Sequence, residues 1–415
     1  MYLIAALVAA ALPTVLTMDE ALRIFRERGF DLLIAEAQVA SAQGDATAAG
    51  AVPNPQISGS LGRSFGYDAS ACAGCSATAW SVGLSDPGAL SDLLSGKRGL
   101  RQDAARAALA AARLSRADAL RTLSLQVRQA MLDAALLQAQ LDLARELAAS
   151  TERTRALDER RMQAGAISEA ELARAEVAAL GAQQGVDLAG QALRAGRLQV
   201  SFLLGIREPE ADFDVEAGLL ERPLPAELPS LDALAREALE RRPDLMASSA
   251  RADRAQADLG LARRQRIPDV SLSAQYQQQG SGQNALQPPT LAFGLQLPLP
   301  LFYQQQGEIA RAEADMRAQR ATLEKIRAQA LLDVQAAREA VEGNRRLVER
   351  MRSRLLERSR RTRDLVQVQY EKGAASLLEL LDAQRVWAQT RAEYLKDLHD
   401  LWLALFQLDA AVGRT

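Results

Sequence analysis

Very few residues in this chain are equipped for chemistry, and their spacing argues against it. Histidine occurs once, at His399, inside a run (Leu395, Leu398, Leu401, Trp402) with helical spacing. No second His or Cys lies within a turn of it, so it reads as a satisfied or solvated helix histidine, not a metal ligand or general base. The two cysteines form one Cys72-Ala73-Gly74-Cys75 unit. Two thiolates at that spacing could supply half a tetrahedral metal site or a redox pair, yet no partner pair follows and no βαβ pattern surrounds them. They read as a small disulfide at a loop tip in an oxidising compartment. With no phosphate-binding loop and no nucleophile beside a base, the expectation is a protein that is not an enzyme and carries no cofactor and no metal.

Composition points to the elements that fill the chain instead. The 415 residues carry 50 basic and 52 acidic side chains, a balance with no field to gather nucleic acid. Aromatics are 4%, while Ala, Leu, Gln and Arg abound, the bias of helices packed along their length. Residues 3–16 are apolar and the first charge is Asp19. That run matches the apolar region of a secretory signal, though no Lys or Arg precedes it, so residues 1–17 are expected to be an export segment.

An internal duplication organises the rest. Asp31-Leu32 and Pro55-x-x-Ser58-x-Ser60 recur 213 residues later as Asp244-Leu245 and Pro268-x-x-Ser271-x-Ser273. At an offset of 211, Gly83, Pro87 and Gly96 match Gly294, Pro298 and Gly307; at 208, Gly165-Ala166-x-Ser168-x-x-Glu171-Leu172 matches Gly373-Ala374-x-Ser376-x-x-Glu379-Leu380, and Gly205 matches Gly413. The expected organisation is two copies of one unit, 18–205 and 231–415, joined by a proline-rich, acidic linker at 206–230.

Within each copy prolines fall in the first part only. Residues 88–208 and 301–415 lack proline, and 100–164 lack glycine as well. Such a run is one continuous helix of about 65 residues, roughly 100 Å long, that neighbours must support. Leu120, Leu123, Val127, Ala130, Ala134, Leu137, Leu141, Ala144 and Ala148 step by threes and fours, a coiled-coil seam. A second stripe (Leu125, Leu132, Leu136, Leu143, Leu147) gives the helix a partner on another face, like a stave in a cylinder. The second copy repeats the seam less cleanly, interrupted at Asn344.

Four segments have a period of two instead. Ile57, Leu61, Phe65 and Tyr67 alternate with Ser58, Ser60, Gly62, Ser64 and Gly66. The pattern recurs around Trp80-Val82-Leu84, Val270-Leu272-Ala274-Tyr276, and Leu291-Phe293-Leu295-Leu297-Leu299. One apolar face and one small polar face suit a barrel wall between lipid and water. Four strands cannot close a barrel, and open edges cannot sit in hydrocarbon, so several chains must share it. Three chains would give twelve strands and a lumen; two would give eight, which side chains nearly fill.

In this order of elements the chain resembles the TolC family of outer-membrane channels. The signals are the tip motifs Gln163-Ala164-Gly165-Ala166-Ile167-Ser168-x-x-Glu171-Leu172 and Tyr370-Glu371-Lys372-Gly373-Ala374-Ala375-Ser376-x-x-Glu379-Leu380-Leu381-Asp382-Ala383-Gln384. The resemblance implies a mostly α fold with a small β part. Tandem long helical hairpins would build a trimeric α-helical barrel across the periplasm, and four strands per chain would join a shared twelve-stranded β-barrel in outer-membrane lipid. It implies a homotrimer working with a periplasmic adaptor (membrane fusion) protein and an inner-membrane resistance-nodulation-division transporter.

By the same resemblance, Gly165 and Gly373 mark the adaptor-docking tips, and Glu379 and Asp382 line the aperture. At i and i+3 those two acids share a helix face, so three copies would gather six carboxylates around one axis. Tyr370 and Glu171 correspond to a closing latch whose family arginine is replaced here by Ala375. Pro53-Asn54-Pro55, Gly96-Lys97-Arg98 and Pro300-Leu301-Phe302 through Gly307-Glu308-Ile309 look like the CzcC-type branch, which implies heavy-metal cations as cargo. An exit duct for drugs or secreted proteins, and a helical scaffold that is no channel, are the alternatives.

Overall fold

The computed structural model describes residues 12–68, 70–71, 75–208, 212–224, 227–279 and 288–414. Each copy runs helix, helix, hairpin, long helix, helix. The first holds β1 (Val15–Leu16), α1 (Met18–Arg28), α2 (Phe30–Ala49), β2 (Gln56–Arg63), β3 (Thr78–Asp86), α3 (Ala89–Ser95), α4 (Lys97–Gln163) and α5 (Glu169–Leu203). After β4 (Asp214–Val215), the second holds α6 (Leu231–Arg241), α7 (Pro243–Arg264), β5 (Ser271–Gln279), β6 (Thr290–Gln296) and α8 (Gln306–Arg350). A π-helical segment, Met351–Leu356, then leads to α9 (Glu357–Glu371) and α10 (Leu377–Ala411). Compactness groups these elements differently from the duplication. One unit combines residues up to Glu36 with Ser115–Pro243 and Arg327 onward; the other combines Ala37–Leu114 with Asp244–Ile326.

The first unit is helical and holds the main core. Val127, Met131, Leu132 and Ala134 of α4 are buried there with Val200 of α5, Val334 and Val341 of α8, and Leu401 and Leu408 of α10. The seam of threes and fours is thus the buried face of α4. Asn344, which breaks the seam in the second copy, donates to the Asp400 carbonyl at 3.1 Å, so its amide has a backbone acceptor on α10.

Of the stretches read as leader and linker, the described residues place Leu16, Phe213, Val215, Leu219 and Leu220 in this core. β1 and β4 pair in parallel, with Leu16 and Val215 fully buried. Thr17 and Glu20 form a capping box at the start of α1, so removing residues 1–17 as one piece would take out a strand and a helix cap. In the region 206–230, Phe213, Val215, Leu219 and Leu220 are buried between the acidic residues, and Trp402 donates to the Leu220 carbonyl at 3.0 Å.

The π-helical segment has a reading in the duplication. Gly96 and Gly165 are 69 residues apart and Gly307 and Gly373 only 66, so three residues are missing. A π turn takes up one more residue, and a shortfall of four lies close to the 3.6 of one full turn, which restores the helix face.

The second unit contains a four-stranded antiparallel sheet in the order β2-β3-β5-β6. Its register puts Ile57 opposite Leu84, Leu61 opposite Trp80, Val82 opposite Tyr276, and Ala274 opposite Phe293, so every apolar row lies on one face. That face is bare: Ile57, Leu61 and Phe293 are 81%, 83% and 79% exposed. The other face carries a polar ladder, with Ser60 and Ser81 hydroxyls 2.8 Å apart and Gln275 donating to Ser81 at 2.8 Å. β2 and β6 are the open edges and run in opposite directions, so β6 of one chain can pair antiparallel with β2 of the next.

Candidate functional site at the hairpin tips

Each long hairpin turns at a glycine in the left-handed region, Gly165 at φ 70° and Gly373 at φ 77°. The two turns share one hydrogen-bond pattern. Ala166 N–H donates to the Arg161 carbonyl and Gly165 N–H to that of Met162, both at 2.8 Å; Ala374 donates to Gln369 at 2.8 Å and Gly373 to Tyr370 at 3.0 Å. This is the helix-ending geometry that glycine alone adopts without strain. A Cβ at either glycine would meet nothing within 4 Å, so the constraint is backbone conformation and both tips stand free.

The next helix of each hairpin starts at a capping box. Ser168 N–H donates to the Glu171 carboxylate at 3.0 Å, and Ser376 N–H to the Glu379 carboxylate at 2.7 Å. The serine hydroxyls in return accept the Glu171 and Glu379 N–H groups at 3.3 Å. The Ser376 backbone donor, and then its hydroxyl, hold the Glu379 carboxyl below the usual glutamate range. Asp382 pairs with Arg385 at 2.7 Å, and both are exposed. The two aperture candidates therefore share the exposed start of α10, but each already has a local partner.

Tyr370 and Glu171 are not brought together in the protomer. The Tyr370 hydroxyl donates to Asp158 Oδ1 at 2.5 Å, while the Glu171 carboxylate stays with Ser168. Asp158 is fully buried and its second oxygen has no hydrogen-bond partner. Arg161 lies over the Tyr370 ring at 4.8 Å and donates to the Tyr370 and Glu371 carbonyls at 2.8 and 3.1 Å. Ala175, Leu377 and Leu380 close an apolar cluster around the ring. Burial first, and then the Asp158 carboxylate, push the Tyr370 phenol far above its ordinary pKa, so it stays a donor. One polar contact between buried groups thus ties the end of α4 to the end of α9.

Asp158 and Arg161 escape motif reading because they sit in an ordinary charged helical run. The duplication does carry a signal. At the offset of 208, Asp158 faces Val366 and Met162 faces Tyr370, two mismatches beside matched tips.

His399 is buried between carboxylates. Nε2 lies 2.7 Å from Asp133 Oδ1 and Nδ1 lies 2.9 Å from Asp400 Oδ1. Burial opposes its charge, but the two acids outweigh it and raise its pKa. Cys75 is disulfide-bonded, and Cys72 lies outside the described residues. Among the described residues, no helix is long and apolar enough to cross a membrane.

Duplicated helical hairpins, joined to a sheet with one apolar face and two open edges, make this chain a subunit of a membrane channel with a shared barrel. It belongs to the outer membrane efflux protein family, whose profile matches residues 21–205 and 234–414. It is 26% identical to the cobalt-zinc-cadmium resistance protein CzcC of Cupriavidus metallidurans, over 96% of this chain and 90% of that protein. It is 28% identical to the pyoverdine export outer membrane protein OpmQ of Pseudomonas putida, over 95% of this chain and 84% of that one. A crystal structure of a membrane protein from Pseudomonas aeruginosa superposes with a TM-score of 0.80 at 23% identity, over 95% and 93% of the two chains.

The protein is therefore a TolC-like outer-membrane channel of a tripartite efflux pump and a passive conduit, not an enzyme. Its helical barrel lies in the periplasm, and its sheet is one third of a twelve-stranded transmembrane barrel.

Proposed function

We propose that the cargo is heavy-metal cations, delivered by a resistance-nodulation-division transporter of the inner membrane through a periplasmic adaptor that docks on the tips at Gly165 and Gly373. The observation that carries the cargo assignment is the similarity to CzcC along 96% of the chain. Exposed carboxylates at the start of α10 support it: Glu379 and Asp382, repeated threefold, favour cations over anions at the narrow end. In this reading the closed state is held by Tyr370 against Asp158, with Arg161 supplying the guanidinium that Ala375 does not.

The similarity to OpmQ favours a second reading, export of a metal-binding organic molecule. Deleting the gene from its host and measuring cell-associated cobalt, zinc and cadmium separates the two. Raised metal content, restored to normal by the intact gene, supports cation export. Unchanged metal with a siderophore trapped in the periplasm rejects it for the second reading.

A further inference from the structure

The lipid-facing rows of the sheet are short for the membrane they cross. The strands have 7 to 9 residues. At about 3.4 Å per residue and a tilt near 40°, they cover roughly 18–23 Å against an apolar band of about 25 Å. On that face the paired part of the β2–β3 hairpin reaches a charge at each end, Arg63 on the loop side and Asp86 on the helix side.

Beyond Asp86, a second apolar surface begins. α3 turns Leu90, Leu93 and Leu94 outward, 46%, 64% and 77% exposed, at the spacing of one helix stripe. Its other side is anchored: Ser91 and Asp92 are buried, Ser91 donates to Asp269 at 3.2 Å, and Asp92 is paired with Arg101. The Asp86 carboxylate accepts the N–H groups of Gly88, Ala89 and Leu90 at 3.2, 2.7 and 3.0 Å. The border charge is thereby spent on the first donors of α3, groups that would be costly to leave open beside hydrocarbon.

The chain leaving β6 behaves alike. Leu299 and Leu301 keep the parity of Phe293 and Leu295 past the last paired residue, and Phe302 is 97% exposed. The intervening Pro298 and Pro300 have no N–H to leave unpaired.

We propose that α3 and the segment 299–302 form a collar immersed in the acyl chains of the periplasmic leaflet, completing the apolar band that the strands leave short. The collar continues the lipid face of the sheet, and the proposal rests on the outer-membrane placement of that sheet.

The test is fluorescence quenching of the full-length trimer in vesicles of phospholipid brominated near the headgroup end of its chains. Trp80, on the sheet's lipid face, reports insertion in the parent protein. Leu94→Trp and Phe302→Trp, each in a Trp80→Phe background, report the collar against the constant Trp387 and Trp402 emission. The expected result is that each new tryptophan loses the same fraction of its intensity as Trp80 does. Quenching of Trp80 without quenching of the new tryptophans overturns the collar and leaves the barrel standing, the face then being covered by a second copy or by water. Loss of Trp80 quenching overturns the membrane placement and the collar with it.

Discussion

The Tyr370 hydroxyl and the Asp158 carboxylate meet at 2.5 Å across 212 positions of sequence, in a pocket closed to solvent. Hydrogen bonds between buried groups are worth most through what their loss leaves behind, here a buried carboxylate whose remaining partner is the Arg161 guanidinium at 3.7 Å. The contact joins α4 of one hairpin to α9 of the other, so its strength and the separation of the tips are coupled.

Tyr370→Phe is expected to remove about 1–3 kcal/mol from the tip packing. In planar bilayers the variant should show a larger or more frequently open conductance, with trimer assembly unchanged. Asp158→Asn, which keeps an acceptor for the phenol, should do so less. Equal, parental conductance in both variants would remove the contact from gating.

Glu379→Gln together with Asp382→Asn should lower the preference for cations, read as a shift in reversal potential under a salt gradient. Arg385→Gln, which frees the Asp382 carboxylate from its partner at 2.7 Å, should raise it. A reversal potential that moves in neither variant places the selective charge elsewhere in the lumen.

His399 makes folded stability depend on pH with a definite sign. Its folded pKa is raised above the ordinary value of about 6.5, so the stabilisation is complete below that pH and is lost as pH rises through the folded value. Thermal unfolding should fall from pH 6 into the mildly alkaline range, and His399→Gln should flatten this slope. The same slope in the variant would assign it to other groups.

Two left-handed glycines should respond differently to alanine. At Gly165 there is open space, so the cost is the conformational penalty of about 1–2 kcal/mol. At Gly205 the new Cβ would lie 2.1 Å from the Arg28 carbonyl oxygen, an overlap that only backbone movement can relieve. Gly205→Ala should therefore lower the melting temperature clearly more than Gly165→Ala. Equal shifts would show that the α1–α2 junction yields freely.

The sheet and the long helices were legible because each carries one clean period. Alternation from Ile57 to Leu61 and from Leu291 to Leu295 survives as the bare face, and the seam from Val127 to Leu141 survives as core. The tip was harder to read. Ser168-x-x-Glu171 and Ser376-x-x-Glu379 are capping boxes, yet the function-bearing look of two acids beside a tip draws attention from that local use. Asp158 is indistinguishable by type from the solvated acids around it, and only three-dimensional packing against Tyr370 removes it from water. The stretch 206–230 reads as linker by its prolines, yet Phe213, Val215, Leu219 and Leu220 within it are buried.

The open edges at β2 and β6 have a consequence for inheritance as well as for assembly. Each chain owns two edges that only other copies can cover, so a channel is no better than its worst subunit. In a cell expressing intact and assembly-competent but blocked chains in equal amounts, random mixing leaves only about one trimer in eight wholly intact. A single defective allele of this gene is then expected to behave as dominant.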